Sequence, residues 1–437
     1  MDLENQMKNN SFIIKGDIIY SKSKMELSWY KDGYLVCEDG VSRGVYGDLS
    51  DIPESCRTLP IEDHTGKLVI PGMTDLHLHA PQYGFRGLWG DMELLDWLNI
   101  HTFPEEARYA DSAYAKEAYA IFVDDMLHTA TTSFAAFSSI HVPATELLMD
   151  LTEESGLRAY IGKVNMDRNS PDELREITEG SFSETLRWLS DVKERNYQNV
   201  RPILTPRFIP SCTDELMEKL GELIRETGLP LQSHLSENRS EISWVKELCP
   251  WSQSYGDAYE HFHCLGDLGN RTIMAHCVWS GDQEVELMKK NGVFIAHSPS
   301  SNNNIASGIA PVRKYLEKGL NVGLATDMSG GTTASILRIM TDALTASKLY
   351  WRLVDETAKP LTFPEVFYLG TVGGGAFFGK TGSFEEGYAF DAVVLSDEDL
   401  RTPLKDRLDP AERLERYCYV AGERPVDHKY VSGRKLL

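Results

Sequence analysis

No C-x-x-C pair, no long apolar run, no low-complexity tract and no short internal repeat occurs in this chain of 437 residues. Its seven cysteines (Cys37, Cys56, Cys212, Cys249, Cys264, Cys277 and Cys418) are odd in number and scattered. That spacing argues against a disulfide framework and fits a reducing compartment. The longest apolar stretches are too short to span a bilayer. The opening MDLENQMKNN is polar, so no secretory leader is expected. Basic charge is also scarce. Lys and Arg number 44 against 66 Asp and Glu, a formal charge of −22. Such a surface repels phosphates and anionic lipids, so neither nucleic acid nor membrane is an expected partner. A small neutral substrate is not excluded.

What is present is alternation. The two ends read as short strands: SFIIKGDIIY and YLVCEDG at the start, FDAVVLSD and HKYVSGRKLL at the finish. From about residue 68 the pattern changes. Eight apolar runs follow: KLVIPGMTDLHLH, ATTSFAAF, RAYIGKVN, VRPILTPRF, LPLQSHLSE, RTIMAHC, GVFIAHSPS and LNVGLATDMS. Between them lie stretches of helical periodicity, such as DSAYAKEAYAIFVDDMLHTA and CTDELMEKLGELIRETG. Near-continuous apolar strands separated by helices imply a parallel sheet covered on both faces. Eight such units predict an α/β fold, a TIM (β/α)8 barrel, with a doubly wound open sheet as the alternative. The expected division is a barrel domain over 68–382 and a small β-sandwich domain joined from 1–67 and 383–437.

In a barrel, chemistry sits at the C-terminal ends of the strands. The first run ends in His77 and His79, which at a spacing of two share one face of a strand. The fifth ends in His234, with Glu237 three residues on. The sixth ends in His276 and the eighth in Asp327. Each has a plainer reading when taken alone. The histidine pair can be structural, Asp327 can cap a helix, and Glu237 can be a first-turn acid. Together they form a set suited to zinc or iron with an open coordination position. Such a metal lowers the pKa of a water toward about 7, and a nearby carboxylate can move protons. His297 ends the seventh run and can serve either behind the ligands or in packing. The remaining histidines (His64, His101, His128, His141, His261, His263 and His428) read as ordinary.

PGMTDLHLHAP resembles the first-strand signature of the amidohydrolase superfamily. The single histidines after strands five and six and the aspartate after strand eight fit the same layout. H-x-x-E, here His234 and Glu237, resembles its deaminase branch. Further similarity lies in HAPQY, LLDWLNIHTFPEE, GKVNMD, TPRF, QSHLSEN and MAHCVW, so that the likeness runs from about residue 68 to about 395. The resemblance implies that His77, His79, His234, His276 and Asp327 bind one Zn2+, with Fe2+ as the alternative. Glu237 would shuttle protons, with Asp327 beside it as a catalytic group. Gln82, Arg207 and Phe208 would hold a purine against His79, His234, Glu237 and Asp327. The implied reaction is hydrolytic loss of the 2-amino group of guanine, giving xanthine and ammonia in purine catabolism, in a cytoplasmic homodimer. Arg207 offers a planar fork of donors suited to a purine edge, against the plainer role of a salt bridge. Phe208 can border the ring, against simple core packing. Gln82 can present a donor and an acceptor.

Two segments depart from the pattern: SPSSNNNIASG after strand seven, and GFRGLWGDMELL around Trp89. Rival readings remain within the fold. One is a binuclear cyclic-amide hydrolase, for which Lys163, ending the third run, would have to bridge two metals. Another is a deaminase of cytosine, an adenine derivative or a triazine. A non-catalytic metal scaffold is the third, and Glu237 argues against it.

Overall fold

The computed structural model describes residues 10–88, 90–404 and 407–437. The first nine residues of the polar start, and Trp89 of the variant loop, lie outside them. Each of the eight apolar runs contains a strand: Met73–His79, Thr131–Phe137, Arg158–Gly162, Val200–Pro202, Leu231–Leu235, Thr272–His276, Phe294–His297 and Asn321–Leu324. The first four pair in parallel in sequence order, and so do the last four. A parallel bridge from Leu204 to Leu231 links the two sets at one edge. At the other edge Asp327 N donates to His77 O at 2.9 Å, and His79 N to Met328 O at 3.1 Å. This is an α/β fold of the TIM-barrel type. Leu76, Ala135, Tyr160, Ile203, Ile273, Ala275, Ala296 and Ala325, in or just after seven of the eight strands, pack together with Phe377. The alanines leave room for the larger side chains in that shared layer.

The helices form where the periodicity predicts them. Ser112–His128 starts from Asp111, whose side chain accepts from Ala113 N at 2.8 Å. Asp214–Thr227 is capped by Thr213 and ends on Gly228, whose φ of +67° suits glycine. This second helix buries Leu216, Leu220, Leu223 and Ile224 against the barrel. Full burial contributes roughly 1.5–3 kcal/mol for each such side chain.

The first run proves to be two strands. Ile61–Pro71 belongs to a terminal sheet and Met73–His79 to the barrel, with Gly72 between them. A Cβ at Gly72 would lie 2.2 Å from Thr132 Oγ1, so only glycine allows the turn this close. The two ends of the chain combine into one mixed seven-stranded sheet, as their β-rich composition predicts. Phe12–Ser23 pairs antiparallel with Glu26–Glu38 and parallel with Ile61–Pro71, which in turn pairs with Ala392–Leu395. One face gathers Phe12, Ile14, Leu35, Phe390, Val394 and Tyr430. The other face, with Ile19, Leu68 and Ile70, joins the large core of the barrel helices. Within the C-terminal segment the helix Pro410–Ala421, which strand composition alone did not predict, packs Leu414, Tyr417 and Cys418 into that same core. No helix among the described residues is long and apolar enough to cross a membrane.

Candidate active site

Strand ends bring the histidines together. A register shift between Asp75 and Leu78 interrupts the first barrel strand at the H-x-H segment, as a bulge does where a side chain must be re-aimed. Asp75, buried beneath, accepts from His77 N at 3.2 Å and from Thr326 N at 3.1 Å. It therefore ties the first strand to the eighth. Burial raises its pKa to about 7, against the lowering effect of these hydrogen bonds. Ser236, His276, Cys277 and Asp327 all have positive φ (48°, 71°, 49° and 47°) where the fifth, sixth and eighth strands turn into loops. Non-glycine residues in that region concentrate where a surrounding structure enforces them.

The result is a compact donor set. His77 Nε2 lies 3.2 Å and His79 Nε2 3.6 Å from Asp327 Oδ1. His79 Nε2 and His234 Nε2 are 3.1 Å apart. His276 Nε2 is 3.7 Å from Asp327 Oδ2 and 3.4 Å from Glu237 Oε2. Two overlapping triplets, His77–His234–His276 and His77–His79–Asp327, each hold their ligand atoms within 4.8 Å. The other seven histidines read as ordinary enter neither triplet.

Supporting hydrogen bonds fix the tautomers. His234 Nδ1 lies 2.6 Å from Arg207 O, and His276 Nδ1 lies 2.9 Å from Asn302 Oδ1. A carbonyl only accepts, so each Nδ1 carries the hydrogen and each Nε2 lone pair faces the cluster. Both ring nitrogens of His77 and Nδ1 of His79 are buried without a hydrogen-bond partner. Unpaired buried nitrogens are costly unless something binds them. Burial holds His79 and His234 well below the usual imidazole range, helped by the neighbouring His77. Burial works against a charged Asp327, yet His77, His276 and His79 hold it well below the usual carboxylate range. His276 goes the other way: burial opposes its charged form, yet the charges of Glu237 and Asp327 raise it. The neutral imidazoles beside the ionised carboxylate are therefore those of His77, His79 and His234, donors of the kind a divalent cation needs. The residues present therefore fit a divalent metal.

Glu237 sits at the edge of this set. Its Oε1 accepts from Ser307 Oγ at 2.9 Å, and burial raises its pKa to about 7, against the pull of His276. Glu241, one turn on, accepts from Glu237 N and Asn238 N and from the Tyr255 hydroxyl. It holds the turn that carries Glu237.

A small cavity opens against the cluster. Gln82, Arg207, Phe208, His79, His234, Glu237, His276 and Asp327 line it, with Leu94, Trp97, Leu98 and Ile305. Gln82, Arg207 and Phe208 thus line one cavity, and the Phe208 ring makes an edge contact with Trp244. For Arg207 the structure shows the salt bridge, the plainer of its two readings. Its guanidinium is bidentate to the buried Glu106, Nη1 to Oε2 at 2.5 Å and Nη2 to Oε1 at 3.1 Å. Glu106 Oε1 also accepts from Gln82 Nε2 at 2.8 Å.

Sequence reasoning passed over Glu106 and Asn302, which lie outside the strand ends. The variant SPSSNNNIASG segment supplies three members of the site: Asn302, Ile305 and Ser307. His297 is buried at its strand end but lines a different cavity, with Arg313 and Tyr350, and burial lowers its pKa to about 3. Lys163 is fully buried and donates to Glu176 Oε1 at 2.5 Å. Its ammonium is committed to an ion pair, which leaves the binuclear reading without its bridge.

A model of the amidohydrolase family matches residues 68–436, and the chain belongs to that family. It is 38% identical to guanine deaminase of Dictyostelium discoideum, over 98% of this chain and 99% of that protein. It is 33% identical to guanine deaminase of Escherichia coli (strain K12), over 93% of this chain and 92% of that protein. The crystal structure of guanine deaminase from C. acetobutylicum with bound guanine in the active site is 42% identical, with a TM-score of 0.93. That likeness covers 98% of this chain and 100% of that one.

Proposed function

We propose that this chain hydrolyses guanine to xanthine and ammonia. The observation that carries the reading is one cavity in which a histidine–aspartate cluster, a raised carboxyl and the polar side chains of Gln82 and Arg207 meet. Guanine deaminases matching nearly the whole chain support it.

His77, His79, His234, His276 and Asp327 would hold one divalent ion, zinc in this reading with iron(II) as the alternative. When bound, such an ion lowers the pKa of water toward about 7 and so supplies a nucleophile at neutral pH. The chain's own groups do the rest. Gln82 and Arg207 hold the ring edge by hydrogen bonds, Phe208 borders its face, and the apolar Leu94, Trp97 and Leu98 exclude bulk water. Glu237 takes a proton from the attacking water and returns it to the ring nitrogen beside C2, so that charge does not build on the ring. It then relays a proton to the departing amine, which leaves as ammonia while the C2 carbonyl forms. A carboxyl held near 7 can act in both directions at neutral pH. The relayed proton is the second one of the water: Asp327, ionised between His77 and His276, takes it up as the C2 carbonyl forms and passes it through Glu237 to the amine, so that both carboxylates end as they began.

The eight strands are read as a closed barrel, supported by the hydrogen bonds that link the two half-sheets at both edges. The terminal sheet, folded over the shared Phe12–Phe390–Tyr430 core, is read as the small sandwich. The proposed division is 68–382 for the barrel and 1–67 with 383–437 for the small domain, with Ile61–Pro71 running across the boundary. Seven free buried cysteines support a reducing, cytoplasmic location. The homodimer that the family resemblance implies is kept as part of this reading. The test of the reaction is stoichiometric: guanine consumed should yield equal amounts of xanthine and ammonia. Guanine left intact by the metal-loaded protein would end the reading.

A further inference from the structure

Glu106 is 3% exposed and carries no solvent contact of consequence, yet it touches both polar side chains that face the ring slot. Three observations converge on it. First, it is bidentate to Arg207, so the one guanidinium among the described residues that line the cavity is already paired. Second, a carboxylate can only accept, so its contact with Gln82 turns that amide nitrogen toward Glu106. The Gln82 oxygen then accepts from Ser329 N at 3.2 Å. One N–H and one lone pair of Gln82, and three N–H donors of Arg207, are left for a ligand. Third, the other titratable groups around the slot are Glu237, Glu241 and Asp327, all acids, and the histidines.

We propose that Glu106 is a positioning and specificity-determining residue: by pairing Arg207 and fixing the Gln82 amide, it makes the slot take a neutral purine and disfavour an anionic one. The inference rests on the reading of the cavity as a purine site. Its consequence falls on the product. Xanthine carries an N–H flanked by two carbonyls and is more acidic than guanine. An unpaired Arg207 would hold the ionised product, whereas a paired one lets it go. A buried arginine relieved of its partner gains a strong attraction for any anion that can replace it.

Two variants separate charge from position. Glu106→Gln removes the charge and keeps the shape, and Glu106→Asp keeps the charge and shortens the reach. Each is prepared metal-loaded and its metal content measured. Guanine kinetics are then taken, with calorimetric binding of xanthine and of a neutral purine in mildly acidic and mildly alkaline buffer. In Glu106→Gln, KM for guanine should rise about tenfold, the scale of leaving buried donors unpaired. Xanthine should bind about tenfold tighter than to the parent, and the gain should grow with alkaline ionisation of the ring. Glu106→Asp should raise KM while keeping the parent's preference for the neutral ring. If Glu106→Gln binds xanthine as the parent does in both buffers, the proposal is overturned. If Glu106→Gln does not fold, an anion preference acquired by Glu106→Asp overturns it equally. If the parent leaves guanine intact, the functional reading fails. The calorimetry still decides whether Glu106 sets the ring charge.

Discussion

The Arg207 carbonyl accepts the Nδ1 hydrogen of His234 at 2.6 Å while the Arg207 side chain reaches the cavity. One residue therefore orients His234 through its backbone and faces the cavity through its guanidinium. Gly162, three residues before Asn165, shows how closely the adjoining loops meet. A Cβ there would lie 1.8 Å from Thr205 Oγ1, and Asn165 O in turn accepts from Arg207 N at 3.2 Å. The short segment TPRF thus links the cavity lining to one member of the histidine cluster, His234.

Replacing Glu237 by Gln should lower kcat by about 10²–10⁴-fold, the usual scale for a general acid–base group. Metal content measured by elemental analysis should not change, because Glu237 lies beside the ligand triplets rather than in them. Full activity in this variant would remove the proton-relay role.

Asn302→Leu takes the acceptor from His276 Nδ1. Loss of such a partner should weaken metal affinity by about 10–100-fold. Competition with a chromogenic chelator reads this directly, and unaltered affinity would show that the tautomer of His276 is held in another way.

The metal count should be one per chain. Lys163→Met should leave that count alone and instead reduce stability by about 3–5 kcal/mol, because it strands Glu176 in a buried pair. Urea unfolding and metal analysis on the same sample separate the two effects. A second metal that disappears in Lys163→Met would restore the binuclear reading.

Lys429 gives the pH dependence. It is fully buried, donates to Met126 O and Thr131 O at 2.7 and 2.8 Å, and burial holds its pKa well below 10.5. Two carbonyls are the partners a neutral amine with two N–H groups can satisfy. The unfolded chain keeps this lysine protonated up to about 10.4, so below that pH it binds a proton the folded chain does not. The contribution of Lys429 to stability therefore rises with pH across this window and falls as pH drops. Relative to Lys429→Met, the parent should gain stability between neutral and mildly alkaline buffer, read as urea midpoints. An unchanged difference between the two would mean that Lys429 stays charged when folded.

Much of the site is legible in the sequence because barrel chemistry follows strand ends, and each ligand ends an apolar run. His77, His79, His234, His276 and Asp327 stand where that rule puts them. Gly72 hid the division of the first run, since an apolar stretch crossing from one sheet to another keeps the same composition. Glu106 entered the sequence reading only as the last residue of LLDWLNIHTFPEE, with no role, because it lies in a short helix, Phe103–Ala107, away from the strand ends. Its partners come from 24 and 101 residues away. Only the folded chain sets them side by side. Asn302 was hidden likewise in a polar run that reads as a loop. The helix Pro410–Ala421 did leave a trace: Asp409 and Glu412 form a capping box around Pro410.

The most direct measurement is a substrate panel on the purified, zinc-loaded protein. Guanine, adenine, cytosine and a hydantoin are offered separately, with ring absorbance and ammonia release followed in parallel. The account expects guanine to be converted to xanthine with matching ammonia while the other three stay intact. Inert guanine beside a hydrolysed hydantoin or cytosine would contradict it, leaving the fold and the metal cluster in place but removing the assignment of Gln82, Arg207 and Phe208 to a guanine ring.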